Sequence, residues 1–482
     1  MKRHLPRRLF GRRNQKSYPD ESTCVPTPGS SILWLAACLV SLWPTIALTQ
    51  SIATLDTVCS FSNSLGRVSG LIQASDGNFY GVTASGGSNG YGSAFRVTPD
   101  GAITTLASFD LTNAFPVAPL VQGSDGYLYG TTSGAGSGGG QGTVFRMTTN
   151  GSLTTLYAFT GNDGNPQGRL VQGTNGDFYG TTSGWYNEGT VFRIGTNGAL
   201  STLVTFQSTN GAAPFAGLVE AGDGNFYGTT CLGGAAGLGT VFKMTPDGVL
   251  TTLVSFTNTG RVYSGLVQSS DGNFYGTTSG LSNSPASIYP GIVYKVTPSG
   301  EFTPLAAPFG YQTWPGTLIQ ASDGNLYGTT LYGGSNNAGT LFQVTPDGAF
   351  TLLLSFQCVS TGTSPSDLMQ AANGLLYGAT STCGQYGHGT VFQVSIAPPP
   401  VITVRNPIMN GDEFSFQWNA LTGRVYAVQW CTNLEVAPQA GTNSGPTNWY
   451  NLNSYVLATN STMEITSPAS EPRRFFRVVL KP

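Results

Sequence analysis

One six-residue block constrains this chain more than any other feature. Asp76-Gly-Asn-Phe-Tyr-Gly81 recurs as Asp125 to Gly130, Asn175 to Gly180, Asp223 to Gly228, Asp271 to Gly276, Asp323 to Gly328 and Asn373 to Gly378. The seven block tyrosines, from Tyr80 to Tyr377, are separated by 48 to 52 residues. A period of that length is the mark of a repeat architecture. Around each block the pattern reads as four short strands, named A to D. In the fourth unit they are Gly217 to Glu220 (A), Asn225 to Thr230 (B), Gly239 to Met244 (C) and Leu250 to Phe256 (D). Alternating apolar, β-branched and aromatic residues bounded by Asp-Gly or Pro-Asp-Gly are strand and hairpin signals. With only 9% charged residues and 66 glycines, the chain has no material for long amphipathic helices.

One unit cannot stand alone. About seven large apolar side chains, at roughly 1.5 to 3 kcal/mol each when buried, do not offset the ordering of some 50 residues at about 1 to 2 kcal/mol apiece. The units must bury their faces on one another, and a ring does so without leaving terminal faces exposed. The chain also signals how the ring closes. Residues 52 to 61 look like a strand D with no A, B or C before it, while the last unit stops after its strand C at Phe392 to Ser395. The expected fold is all-β: a seven-bladed β-propeller over residues 51–396, its four-stranded blades closed by the N-terminal strand in the last blade. An open solenoid would need capping units instead.

Loop lengths separate the two faces of the disc. From the strand A leucine to the strand B tyrosine the offset is 9 in every unit, as from Leu71 to Tyr80. From B to C it varies between 13 (Tyr179 to Phe192) and 19 (Tyr275 to Tyr294), and from D to A between 9 (Phe309 to Leu318) and 12 (Phe356 to Leu368). Both variable loops fall on one face, and rigid scaffolds carry binding sites on such loops.

The flanks read differently. Residues 1–50 combine seven basic residues within the first sixteen and an apolar run at residues 31–43, the order of a secretory signal with a long basic leader. Its removal leaves about 14 basic against about 21 acidic residues, a balance that disfavours nucleic acid as a partner. Residues 397–400, Ala-Pro-Pro-Pro, form a stiff linker. Residues 401–482 hold alternating runs such as Phe414 to Trp418 and Phe475 to Leu480, which suggest a small C-terminal β-sandwich without the immunoglobulin cysteine pair. The chain ends at Lys481-Pro482 with no apolar tail, so no membrane span is expected in the mature protein, which is read as a monomer, secreted or on the outer side of the cell envelope.

The unit Gly-Leu-Val-Gln-x-x-Asp-Gly-Asn-Phe-Tyr-Gly-Thr-Thr, followed by Gly-Thr-Val-Phe-Lys-x-Thr-Pro-Asp-Gly and Leu-Thr-Thr-Leu-x-Ser-Phe, resembles the GloVer tandem repeat of bacterial choice-of-anchor exported proteins, over about residues 52 to 396. The resemblance implies export and a repeat architecture, and supplies no activity, substrate or catalytic residue.

Candidate chemistry is sparse. Trp185, Tyr186, Tyr311, Trp314 and Tyr332 fall on the variable face, with Tyr91, Tyr289 and Tyr386 in matching loops. Aromatics beside Asn, Ser and Gly suit stacking on sugar rings or contact with a cell-surface protein; equally, they could close the top of the ring by packing on neighbouring loops. Asp-Gly-Asn offers hard ligands for calcium, but each copy has a single acid and the pair Asp-Gly is what a tight hairpin demands, so no metal and no cofactor are expected. The Lys or Arg after the strand C aromatic (Arg96, Arg146, Arg193, Lys243, Lys295) is expected to reach solvent from a blade edge, and is replaced by Gln343 and Gln393. His388 is the single histidine after the leader and sits in a glycine-rich loop on the variable face. It carries the enzymatic alternative, a lyase or hydrolase acting on polysaccharide or lactone, since streptogramin-lyase-like propellers have a similar Asp-Gly-Asn strand. Cys358, in a D-to-A loop, and Cys383, in the next B-to-C loop, share that face and are expected to form a disulfide, with two free thiols as the alternative. The favoured reading is an exported, non-enzymatic binding or scaffold protein using the variable face.

Overall fold

The computed structural model describes residues 52–397 apart from 63–66, 135–140, 161–163, 185–187, 285–286 and 311–312; for residues 46–47, 281–284 and 287–288, and for strands between 401 and 480, it describes backbone only. The expected leader (1–50, but for 46–47) and linker (397–400, but for Ala397) lie outside the described residues.

Seven antiparallel sheets form a β-propeller of four-stranded blades, the last of them extended by the short strand Thr363–Pro365. Blades 1 to 6 run in chain order, with strands A to D beginning at Val68, Val121, Val171, Val219, Val267 and Ile319. Blade 7 takes Met369–Gln370, Leu376–Thr382 and Thr390–Ala397 from the end of the repeat, and its outer strand is Ile52–Ser60. That strand runs antiparallel to Thr390–Ala397, pairing Ile52 with Ala397 and Ser60 with Thr390. The ring is therefore sealed by hydrogen bonds between its two ends.

Strand A differs from the reading above. In blades 2 to 7 it shrinks to two residues, as in Val219–Glu220. The A strands of all seven blades surround the axis, and the backbone before them is crowded: a Cβ on Gly217 would lie 2.3 Å from the Arg169 carbonyl of the preceding blade.

The apolar interior is divided into seven clusters, one at each blade-to-blade interface. Each is organised by one edge-to-face pair. The phenylalanine ending strand D meets the strand C aromatic of the next blade: Phe109 with Phe145, Phe159 with Phe192, Phe206 with Phe242, Phe256 with Tyr294, Phe309 with Phe342 and Phe356 with Phe392, at centroid distances of 5.1 to 5.3 Å. Phe61, at the end of the N-terminal strand, completes the set against Phe95 at 5.4 Å. Such pairs contribute about 0.5 to 1.5 kcal/mol each beyond their buried area. The strand C aromatic in turn presses on the block glycine, where a Cβ on Gly81 would lie 2.5 Å from the Phe95 ring. This close approach, and no unusual backbone angle, excludes any side chain there.

A second series joins the blades at the tight-turn face. The Gln or Glu of each strand A accepts a hydrogen bond from a backbone N–H in the preceding blade's turn, at 2.7 to 3.1 Å in every blade, including Ala372 N–H to Gln73 across the closure. Inside each turn the Asp carboxylate accepts from the block tyrosine, as Tyr80 Oη donates to Asp76 at 2.7 Å. Where Asn stands instead, its amide donates to the tyrosine, Asn175 to Tyr179 and Asn373 to Tyr377, both at 3.0 Å. The residue after the strand C aromatic also closes on this group. Lys243 pairs with Asp223 at 3.0 Å, Gln343 donates to Tyr327 at 2.9 Å and Gln393 accepts from Tyr377 at 3.0 Å. These side chains serve the turn, where the sequence suggested only reach toward solvent.

In the C-terminal unit Val404–Asn410, Glu413–Asn419 and Thr462–Pro468 form one antiparallel sheet, and Val425–Cys431 pairs with Tyr450–Asn451, Val456–Leu457 and Phe475–Leu480 in another. The side-chain packing that would make the two a sandwich lies outside the described residues.

Phe61→Ala should destabilise the protein by about 3 to 5 kcal/mol, as removal of a buried phenylalanine does, and equilibrium urea unfolding checks it; a loss under about 1 kcal/mol would contradict a sealed ring. Stability should also fall at both ends of the pH scale. Burial and hydrogen bonding to Asp76 and Asp125 push the Tyr80 and Tyr129 hydroxyls up to about 12. The unfolded chain loses those protons from about pH 10, so stability present below that value is lost as pH rises toward 12. Burial tends to raise the carboxyls of Asp76, Asp223 and Asp271, but their hydrogen bonds outweigh it and hold all three below the usual 3.8. Their contribution is present above about pH 4 and lost as pH falls further. Thermal melts between about pH 3 and 11 should show a plateau with a fall on either side.

Candidate functional site

The A strands and the segments leading into them, from all seven blades, surround a central cavity of about 830 Å³. Its mouth lies on the variable-loop face, where the D-to-A segments approach the axis. These segments bend sharply, and a non-glycine residue takes a left-handed backbone in five of them: Phe115, Asn165, Ala213, Trp314 and Ser364, with φ between 47 and 66°. The bend is a feature of the blade, and the side chains beyond it differ from blade to blade.

Blades 4 to 6 present aromatics. Phe215 and Tyr263 lie with centroids 6.2 Å apart, and Tyr263 and Trp314 lie nearly parallel, 10° between planes, at 5.5 Å. Tyr263 and Trp314 are 36% and 45% exposed, which leaves apolar surface open to the cavity. The other arc carries charge, from Arg67 before blade 1, Arg169 before blade 3 and Asp367 before blade 7. The Asp367 Oδ1 accepts the Thr317 N–H at 3.0 Å, and Gly316 makes room for it, since a Cβ there would lie 2.4 Å from that oxygen. Enclosure by the seven blades raises the Asp367 carboxyl, with Thr317, Arg169 and Arg67 opposing the shift, and lowers the Arg169 guanidinium, with Asp367 opposing.

A second cavity of about 340 Å³ adjoins the first, and Arg67, Leu331, Ser364 and Ser381 line both. Tyr332 and His388 line this second cavity. Of the residues singled out in the sequence, Trp314 thus stands at the central mouth and Tyr332 with His388 beside it, while Trp185, Tyr186 and Tyr311 lie outside the described residues. Tyr91 packs edge-on against Phe115 at 5.9 Å. Phe215, Tyr263, Arg67, Arg169 and Asp367 were missed. Aligning the units on the strand A leucine would have exposed most of them, because Phe215 and Tyr263 stand three residues before it and Arg169 and Asp367 immediately before it.

Among the described residues no three His, Cys, Asp or Glu side chains cluster as metal ligands would. The buried Cys231 thiol beside the mouth is pushed up to about 11 by burial, against the opposing influence of Tyr263 and Arg261, and is no nucleophile at neutral pH.

The Gloeobacter/Verrucomicrobia repeat matches this chain three times, over residues 45–184, 136–313 and 280–426. The chain belongs to the Gloeobacter/Verrucomicrobia repeat family. No protein of curated function matches its sequence. Among solved structures, the chain is similar to a putative oxidoreductase (glucose dehydrogenase) from Thermus thermophilus, at 16% identity over 71% of this chain and 100% of that one, with a TM-score of 0.41. It is also similar to a putative gluconolactonase (12% identity, 74% and 95% covered, TM-score 0.38) and to PorZ, a surface component of the type-IX secretion system of Porphyromonas gingivalis (11%, 84% and 58%, TM-score 0.42). None of these similarities carries a function to this chain.

In this Gloeobacter/Verrucomicrobia repeat protein the loops over the second cavity are fastened. Cys358 and Cys383 form a disulfide with Cα atoms 5.0 Å apart, and the Gly384 N–H bonds to the Cys358 carbonyl at 2.8 Å. The helical turn Cys358–Thr361 also meets the closing strand, where Thr57 donates to the Ser360 carbonyl at 3.1 Å. Replacing both cysteines by serine should lower stability by about 2 to 4 kcal/mol and raise amide exchange in residues 383–389, measured by mass spectrometry; unaltered exchange there would show that the loop does not depend on the bridge.

Proposed function

We propose that this chain is an exported binding protein that takes a glycan at the mouth of its central cavity, on the variable-loop face. The observation that carries the reading is the run of Phe215, Tyr263 and Trp314 on three successive blades, open on one side to the central cavity. Flat aromatic rings match the C–H face of a pyranose, and the polar groups around them can order its hydroxyls. Blades 1, 3 and 7 complete the ring without aromatics at the corresponding positions, and Phe115 of blade 2 packs on Tyr91 outside the cavity lining, so the fold does not require aromatics at the mouth. Trp314 is telling in a second way: a bulky residue at φ 47° is strained by about 1 to 3 kcal/mol, yet its side chain is half exposed, with one face on Tyr263. The basic leader followed by an apolar run supports export.

A glycan array with the purified chain tests the reading. Trp314→Gly suits the left-handed backbone and should leave the melting temperature unchanged or raised while abolishing capture, and Tyr263→Ala should weaken capture at least tenfold. Equal capture by wild type and both variants would refute this site.

A further inference from the structure

We infer that the central mouth selects acidic saccharides, with Arg169 and Arg67 receiving the carboxylate of a uronate ring whose face lies on Tyr263 and Trp314. This rests on the glycan reading above and narrows it.

The argument begins with blade register. The residue immediately before the strand A leucine is Gly70, Pro119, Gly217, Gly265 and Thr317 in five blades. The fold therefore needs no charge at this position, yet blades 3 and 7 place Arg169 and Asp367 there. Arg169 lines the hollow and is exposed there, and among the described residues its guanidinium has neither a hydrogen bond nor an ion pair. The same holds for Arg67. Two basic side chains of the tight-turn face, Lys243 and Arg193, by contrast pair with Asp223 and Asp177 at 3.0 and 3.7 Å.

Two guanidinium groups and two carboxylates, Glu220 and Asp367, line this cavity, and Glu220 accepts from the Thr174 N–H and hydroxyl at the turn end. Asp367 acts on both through space, but it is held by the Thr317 N–H and bonds to neither. Neither carboxylate bonds an arginine, so both guanidinium groups keep their hydrogen-bonding capacity open to the hollow. A planar guanidinium is suited to two parallel hydrogen bonds from one carboxylate. A neutral glycan offers the arginines no carboxylate, whereas a uronate supplies one together with the pyranose face that the aromatics fit. The volume of about 830 Å³ lies within the range of ligand pockets.

The test is calorimetric titration of the full chain with a galacturonate tetrasaccharide and with the corresponding neutral galactose tetrasaccharide. The acidic sugar should bind at least tenfold more tightly at low salt, and the preference should shrink as salt is added. Arg169→Gln, checked by its melting curve, should erase the preference while keeping neutral-sugar affinity; Arg193→Gln, on the opposite face, should change nothing. Equal binding of both sugars by the wild type would overturn the inference and leave the glycan reading standing. Binding of neither sugar would count against both, and a preference surviving in Arg169→Gln would show that the carboxylate is received elsewhere.

Discussion

The contact on which this structure depends is the meeting of two aromatic rings across a blade boundary, the phenylalanine that ends strand D against the strand C aromatic of the next blade. That second ring occupies the space over the block glycine, so glycine, ring and neighbouring phenylalanine are parts of one joint. A blade has no interior of its own. Its apolar residues are shared with the blades on either side, in seven cores placed around a hollow axis. Stability is thus a property of the closed ring, and Phe61 occupies the last joint.

Because the joints and the turn-face hydrogen bonds hold the ring together, the segments leading into the A strands have little structural duty beyond a bend. They hold the same left-handed backbone in five blades while their side chains vary freely. Aromatics gather on blades 4 to 6 and charges on blades 1, 3 and 7, which makes the cavity mouth two-sided. The repeat builds a symmetric ring, and recognition is written where the symmetry is broken. The disulfide serves the same division, since it fixes the His388 loop and the helical turn beside the closing strand without touching the central hollow.

The ring was legible in the sequence because its determinants are local and repeated. Seven matching block positions, a fixed offset from leucine to tyrosine, an orphan strand at one end of the repeat and a unit lacking its last strand at the other are visible without coordinates. The cavity mouth was less legible, since its residues come from segments that vary in length and adjoin only in space. Trp314, Tyr332 and His388 stood out as unusual residues in loops, whereas Phe215 and Tyr263 look like ordinary strand aromatics until the units are aligned. Arg169 and Asp367 are 198 positions apart by number and meet only through closure of the ring. The role of the strand A glutamine was likewise hidden, because its partner belongs to another blade.

Hydrogen exchange tests the closed ring most directly. If the first strand is the outer strand of the last blade, amides in residues 52–60 should be protected together with those of 390–397, and both should open only with global unfolding. Exchange of residues 52–60 at the rate of an unstructured peptide, with 390–397 still protected, would contradict the account.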